Sequence, residues 1–113
     1  GVGFFLNVHE GPQSISKFNS IKLEEGMIVS NEPGYYKKGH YGIRIENLIF
    51  IKKDKKNIFF ENLTLAPIEK DLINHNLLTK SEKDYLFKYH LKIYATYNKF
   101  LNLNERKWLA SLI

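Results

Sequence analysis

An α+β chain, with antiparallel strands first and helices after, is what these 113 residues predict. Three observations lead there. Short apolar runs bounded by Gly and Pro fill the first half. A lysine-rich turn joins two strand-like runs, the signature of an antiparallel hairpin. After Pro67 the apolar spacing changes to that of a helix, behind a capping box.

The elements follow in order. Residues 4–8 hold Phe4, Phe5, Leu6 and Val8 and predict a short buried strand, stopped by Glu10-Gly11-Pro12. Residues 13–25 are polar with sparse apolar anchors and predict a loop, and Glu25-Gly26 predicts a turn. Met27-Ile28-Val29 starts a strand that Glu32 follows and Pro33-Gly34 breaks. A loop carrying Tyr35, Tyr36, Gly39 and His40 is expected next. Residues 43–51 alternate over their whole length and predict one strand covered on both faces. Ile43, Ile45, Asn47, Ile49 and Ile51 point one way, and Arg44, Glu46, Leu48 and Phe50 the other. Lys52-Lys53-Asp54-Lys55-Lys56 predicts a solvated turn into a strand over residues 58–65. Thr79 and Glu82 form a capping box before Leu86, Tyr89, Ile93, Tyr97 and Phe100 at helical spacing. Asn102 and Glu105 repeat the cap for a last helix with Trp108, Leu109 and Leu112.

Composition excludes several classes. Without cysteine there is no disulfide framework, thiolate metal site or thiol nucleophile. The net charge of +5 comes from scattered lysines, with no basic helix or stacking aromatics, so no nucleic-acid partner is expected. No apolar run reaches membrane-spanning length and no signal peptide is visible, which makes a cytoplasmic location the default expectation and a membrane partner unexpected. The chain opens at Gly1 inside a glycine-bearing run and reads as a piece of a longer protein.

Glu32 and Glu46 pose the chemical question, because strand ends deliver both carboxylates. A carboxylate among apolar residues is costly unless paired or bound to a metal. A hard divalent cation accounts for both, and a surface ion pair of Glu46 with Arg44 or a lysine is the alternative. Arg44 could neutralise excess carboxylate charge. His9, beside Glu10 and a Gly-Pro turn, reads either as a half-buried histidine satisfied by backbone or as a functional group; Gln13 rules out a His-Glu-x-x-His zinc motif. His40, His75 and His90 read as surface residues.

Three ordered segments carry a resemblance. Gly1-Val2-Gly3-Phe4-Phe5-Leu6-Asn7-Val8-His9-Glu10-Gly11-Pro12, Asn31-Glu32-Pro33-Gly34-Tyr35-Tyr36 and Gly42-Ile43-Arg44-Ile45-Glu46-Asn47 resemble successive signatures of aminopeptidase P, the Xaa-Pro aminopeptidases of the pita-bread metallopeptidase family. Phe60-Glu61-Asn62-Leu63-Thr64-Leu65-Ala66-Pro67 and the helical tail resemble the C-terminal region of its longer, multidomain type.

The resemblance implies the C-terminal part of a pita-bread domain over residues 1–57 and a helical C-terminal extension over 58–113. It implies a dinuclear centre of two Asp, one His and two Glu, holding two divalent ions, manganese first and zinc or cobalt as alternatives. Glu32 and Glu46 match the two Glu ligands, Glu32 also managing the proton of a bridging hydroxide. His9 matches the histidine that contacts the substrate carbonyl, and Arg44 and Tyr36 match positions that orient these groups.

The family's metal-binding histidine directly precedes the Gly-Val-Gly run, and its two aspartates lie further upstream, so the 113 residues alone are expected to be inactive. The expected substrate is a peptide with proline at the second position, and the parent is expected to form a homodimer. Prolidase and methionine aminopeptidase are the near alternatives within the fold, and an interaction module using the tail helices is the alternative outside it.

Overall fold

The computed structural model describes all 113 residues. They form two compact units, residues 1–64 and 65–113. The first holds five strands: β1 (Ile28–Asn31), β2 (Gly34–Lys37), β3 (Tyr41–Arg44), β4 (Asn47–Asp54) and β5 (Asn57–Asn62). The second holds two helices, α1 (Lys80–Tyr97) and α2 (Leu103–Ser111), with short 3₁₀ turns at Lys70–Leu72 and Asn98–Phe100. The α+β expectation and the order of strands before helices hold. No helix is long and apolar enough to cross a membrane.

One register organises the first unit. β1 pairs antiparallel with β4, Asn31 opposite Asn47, and β2 pairs antiparallel with β3, Gly34 opposite Arg44. The two ladders are in step, so the gap between them sets Pro33 opposite Ile45 and Glu32 opposite Glu46. Ile45 N–H donates to the Pro33 carbonyl at 3.2 Å across that gap. Proline has no N–H to return, and this interrupts the ladder. The single strand expected over residues 43–51 is therefore two, β3 and β4. Tyr35 and Tyr36, expected in a loop, lie in β2.

Period two then sorts the side chains. Val29, Ile49 and Ile51 face one way and are buried at 5 % exposure or less, with Leu23 and Met27 packed on them. Burying each such aliphatic side chain stabilises by about 1.5–3 kcal/mol. Ser30, Glu32, Arg44 and Glu46 lie at the alternate positions, on the other face. Gly26, at φ 86°, turns the chain into β1. β4 and β5 form the expected hairpin, Asp54 opposite Asn57, and Lys55 takes φ 54° in its two-residue loop.

The strand expected over residues 4–8 is absent. Phe4, Phe5, Leu6 and Val8 are 79–97 % exposed, and only an isolated bridge joins Val2 to His9. Apolar side chains do not make a strand without a partner strand and a surface to cover them. The Glu10 carboxylate shapes this loop instead, accepting from the amides of Phe4, Leu6 and Asn7 at 3.0–3.2 Å.

In the second unit both predicted caps form in full, Thr79 with Glu82 and Asn102 with Glu105. Tyr89, Ile93 and Leu109 make its core, with Leu65 and Ile68 packed on it. The apolar stripe of α1 ends early, since Tyr97 and Phe100 are exposed. His90, expected at the surface, is buried at 7 % exposure. Its Nε2 accepts the Ile68 N–H at 3.1 Å, while the Tyr89 hydroxyl donates to the Ala66 carbonyl at 2.8 Å. Helical spacing marked Leu86, Tyr89 and Ile93 but left the neighbouring position 90 out of the stripe.

Candidate metal centre

The register assembles the site. Extending the ladder makes Glu32 and Glu46 a pair without mutual backbone bonds, the geometry in which opposed side chains come closest. Like charges so placed repel. Arg44, two residues before Glu46 on the same face, answers them: Nη1 donates to Glu32 Oε2 at 2.9 Å, and Nε lies 4.0 Å from Glu46 Oε2. The Glu46 side chain is 45 % exposed and lies between β3 and β4, so it is not covered on both faces as expected.

Glu32 is fixed at both oxygens. The Ser30 hydroxyl donates to Oε1 at 2.7 Å, and His9 Nε2 lies 3.2 Å from the same atom. Ser30's hydrogen bond, then Arg44 and His9, hold the Glu32 carboxyl below the usual carboxylate range. Tyr36 first, then Glu32 and Glu46, push the Arg44 guanidinium up. The Tyr36 ring lies over the strand pair, where a Cβ on Gly42 would come within 2.5 Å of it and one on Gly34 within 2.7 Å. Glycine at those positions lets the ring lie flat.

Structure thus brings together His9, Glu32, Arg44 and Glu46, with Tyr36 beside Arg44. The His9 side chain is 57 % exposed and turns to Glu32 and Ser30, not to backbone. His40 and His75 are exposed. His9, Ser30, Asn31, Glu32 and Pro33 line an open cleft of about 460 Å³. The sequence reading gave Ser30 no role, although its place two residues before Glu32 in a strand already put it on the glutamate's face.

The donor chemistry fits part of a metal centre. Two carboxylates on one face suit a hard divalent cation. No group of three His, Cys, Asp or Glu side chains forms a cage. Glu32 and Glu46 therefore fit as two ligands and do not complete a site.

Comparison with known proteins agrees with this architecture. Residues 1–53 match the model of the family described as "Metallopeptidase family M24", and residues 56–112 that of the "C-terminal region of peptidase M24". The chain belongs to metallopeptidase family M24. Among relatives of this M24 chain, a probable Xaa-Pro aminopeptidase P of Coprinopsis cinerea is 44 % identical over 96 % of the chain and 20 % of its own length. A putative Xaa-Pro aminopeptidase of Saccharomyces cerevisiae is 45 % identical over 96 % of the chain and 16 % of its own length. The crystal structure of an X-prolyl aminopeptidase from Caenorhabditis elegans, described as a cytosolic enzyme with a di-nuclear active site, superposes with a TM-score of 0.86 at 35 % identity. That match covers 99 % of the chain and 20 % of the worm protein. The M24 chain spans about a fifth of the length of the curated relatives it matches. Within M24 its likeness is to the aminopeptidase P group, and its sheets and helices are those of the C-terminal part of that pita-bread fold.

Proposed function

We propose that the chain supplies two carboxylate ligands, Glu32 and Glu46, and a substrate-contacting histidine, His9, to a dinuclear Xaa-Pro aminopeptidase centre. The cross-strand opposition of Glu32 and Glu46, on the face turned away from the core, carries this reading. Manganese is the proposed ion, because the donors are hard oxygens; zinc and cobalt are the alternatives. When bound, a pair of divalent ions supplies Lewis acidity and an acidified water. Glu32 would hold one ion and Glu46 both.

The chain's own residues do the remaining work. Arg44 donates to the Glu32 carboxylate and helps keep it ionised, as a metal ligand must be. Arg44 offsets the opposed carboxylates. Tyr36 holds Arg44 in place. His9, on the wall of the cleft, donates from Nε2 to the carbonyl oxygen of the bond being cut.

The proposed substrate is a peptide with proline second, after the names of the relatives. A cytoplasmic site of action follows the worm neighbour's description. Division at residue 57 into the end of a catalytic domain and a C-terminal region belongs to the same reading, as does a homodimeric parent. A second reading concerns the 113 residues alone. With two carboxylate ligands and no three-donor group, they are proposed to be inactive unaided.

Two preparations test this. The chain alone, given Mn²⁺ and an Xaa-Pro-Xaa peptide, is expected to show no turnover. Grafted in place of the matching fifth of the worm enzyme, it is expected to give metal-dependent cleavage before proline. In that graft Glu46→Ala should lose bound metal and activity together. Hydrolysis by the chain alone would refute the ligand count. Two ions still bound in Glu46→Ala would refute the ligand assignment.

A further inference from the structure

We propose that Ser30 is a positioning residue: its hydroxyl sets the plane of the Glu32 carboxylate and, through it, the places of Arg44 and His9. This deepens the site described above and rests on that reading. The last torsion of a glutamate side chain is broad, so one partner does not fix the carboxylate plane. Glu32 has partners on both oxygens: Arg44 Nη1 on Oε2 at 2.9 Å, and Ser30 Oγ on Oε1 at 2.7 Å. His9 also reaches Oε1, but from a side chain that is 57 % exposed.

The Ser30 hydroxyl is part-buried and comes from the same strand face as Glu32, so it is the better held of the two Oε1 partners. A serine hydroxyl has one proton and two lone pairs. Its proton goes to Glu32, which leaves a lone pair facing His9 Nε2 at 3.4 Å. Ser30 thus pins the carboxylate through a bond to an ionised acceptor. Charge-assisted bonds of this kind are about twice as strong as neutral ones.

Without the hydroxyl, Glu32 keeps Arg44 on Oε2 and is free to rotate at Oε1. Removal of groups that orient metal ligands costs about 10–100-fold in metal affinity or activity. Threonine offers the same oxygen from a strand position that favours β-branching.

Ser30→Ala and Ser30→Thr test the proposal in two samples. In the 113-residue chain, the Arg44 guanidinium resonances in nitrogen-15 NMR report how firmly Glu32 is held. Wild type and Ser30→Thr are expected to give restricted, distinct Nη signals, and Ser30→Ala averaged ones, with the backbone amides of β1 and β4 unchanged. In the worm-enzyme graft, Ser30→Ala is expected to lower kcat or manganese affinity about 10–100-fold with KM little changed, and Ser30→Thr to restore both. Unchanged Arg44 signals and unchanged kcat in Ser30→Ala would overturn the proposal while leaving the proposed activity intact. Averaged Arg44 signals in Ser30→Ala, with a folded graft that cuts no Xaa-Pro peptide, would uphold the role of Ser30 and refute the activity.

Discussion

Replacing His90 with leucine removes one hydrogen-bond acceptor from the second unit at little change in bulk. The Ile68 N–H, now bonded to Nε2 at 3.1 Å, loses its partner at a part-buried position. An unsatisfied group of this kind costs about 1–3 kcal/mol. With a urea slope of about 1–3 kcal/mol per molar, the unfolding midpoint falls by about 1 M. His90→Gln, whose side-chain oxygen can accept from the same amide, recovers most of the loss. Fluorescence of Trp108, the sole tryptophan and a residue of α2, follows the transition.

The same residue fixes a pH dependence. Burial holds the His90 imidazole below its ordinary value of 6.5. Below that pH the unfolded chain takes up a proton that the folded unit resists, so stability is lost as pH falls from 6.5 towards the lowered folded value. Above 6.5 the contribution is complete. Protonation also removes the lone pair that Ile68 uses. The part of the acid slope that His90→Leu lacks belongs to His90. A His90→Leu chain with the wild-type midpoint at pH 7.5 and the wild-type loss at pH 5.5 would refute the reasoning.

Two further predictions concern local structure. Backbone amides, those of Phe4, Leu6 and Asn7 foremost, hold the Glu10 carboxyl down to about 2. The Phe4, Leu6 and Asn7 amide shifts should therefore stay constant as pH falls through 4.5 and move only near 2, and Glu10→Gln should collapse their dispersion at neutral pH; movement centred on 4.5 would show that the carboxylate is free. Thr79→Ala and Asn102→Ala each remove a complete capping box and should cost about 1 kcal/mol, read as earlier loss of helical circular dichroism on heating.

The sequence carried the strand faces further than the strand ends. Alternation at Asn47, Ile49 and Ile51 placed the buried face of β4 correctly, because period two is a property of the backbone. The same alternation ran through Ile45 and Glu46 and hid the break there. That break comes from Pro33, a residue far along the chain that faces Ile45 only once the register is known. Residues 4–8 failed for a related reason: apolar content predicts burial, and burial needs a covering surface. Both helix caps were legible because a capping box is complete within four residues. His90 was not, because its partner is the amide of Ile68, and a backbone amide leaves no mark on the sequence. Glu32 and Glu46 could be read as a pair and Arg44 as their counter-charge, while the contact of Ser30 with Glu32 became visible only in the folded strand.

The charge arrangement on that face argues for a chemical role. Two carboxylates on opposed strand positions of one face repel each other. Arg44 offsets part of this repulsion, as an exposed ion pair that solvent screens. A strand pair built for stability would place a threonine or an aromatic there, not two acids and a proline that removes a ladder bond. Glu32, Pro33 and Glu46 together weaken the ladder between two well-formed segments. What they create is a place where two carboxylates share one strand face, linked through Arg44, with no backbone bonds between the opposed pair. A divalent cation bound there, as proposed, would turn that repulsion into coordination, and the proposed activity would then rest on the weakest point of the ladder.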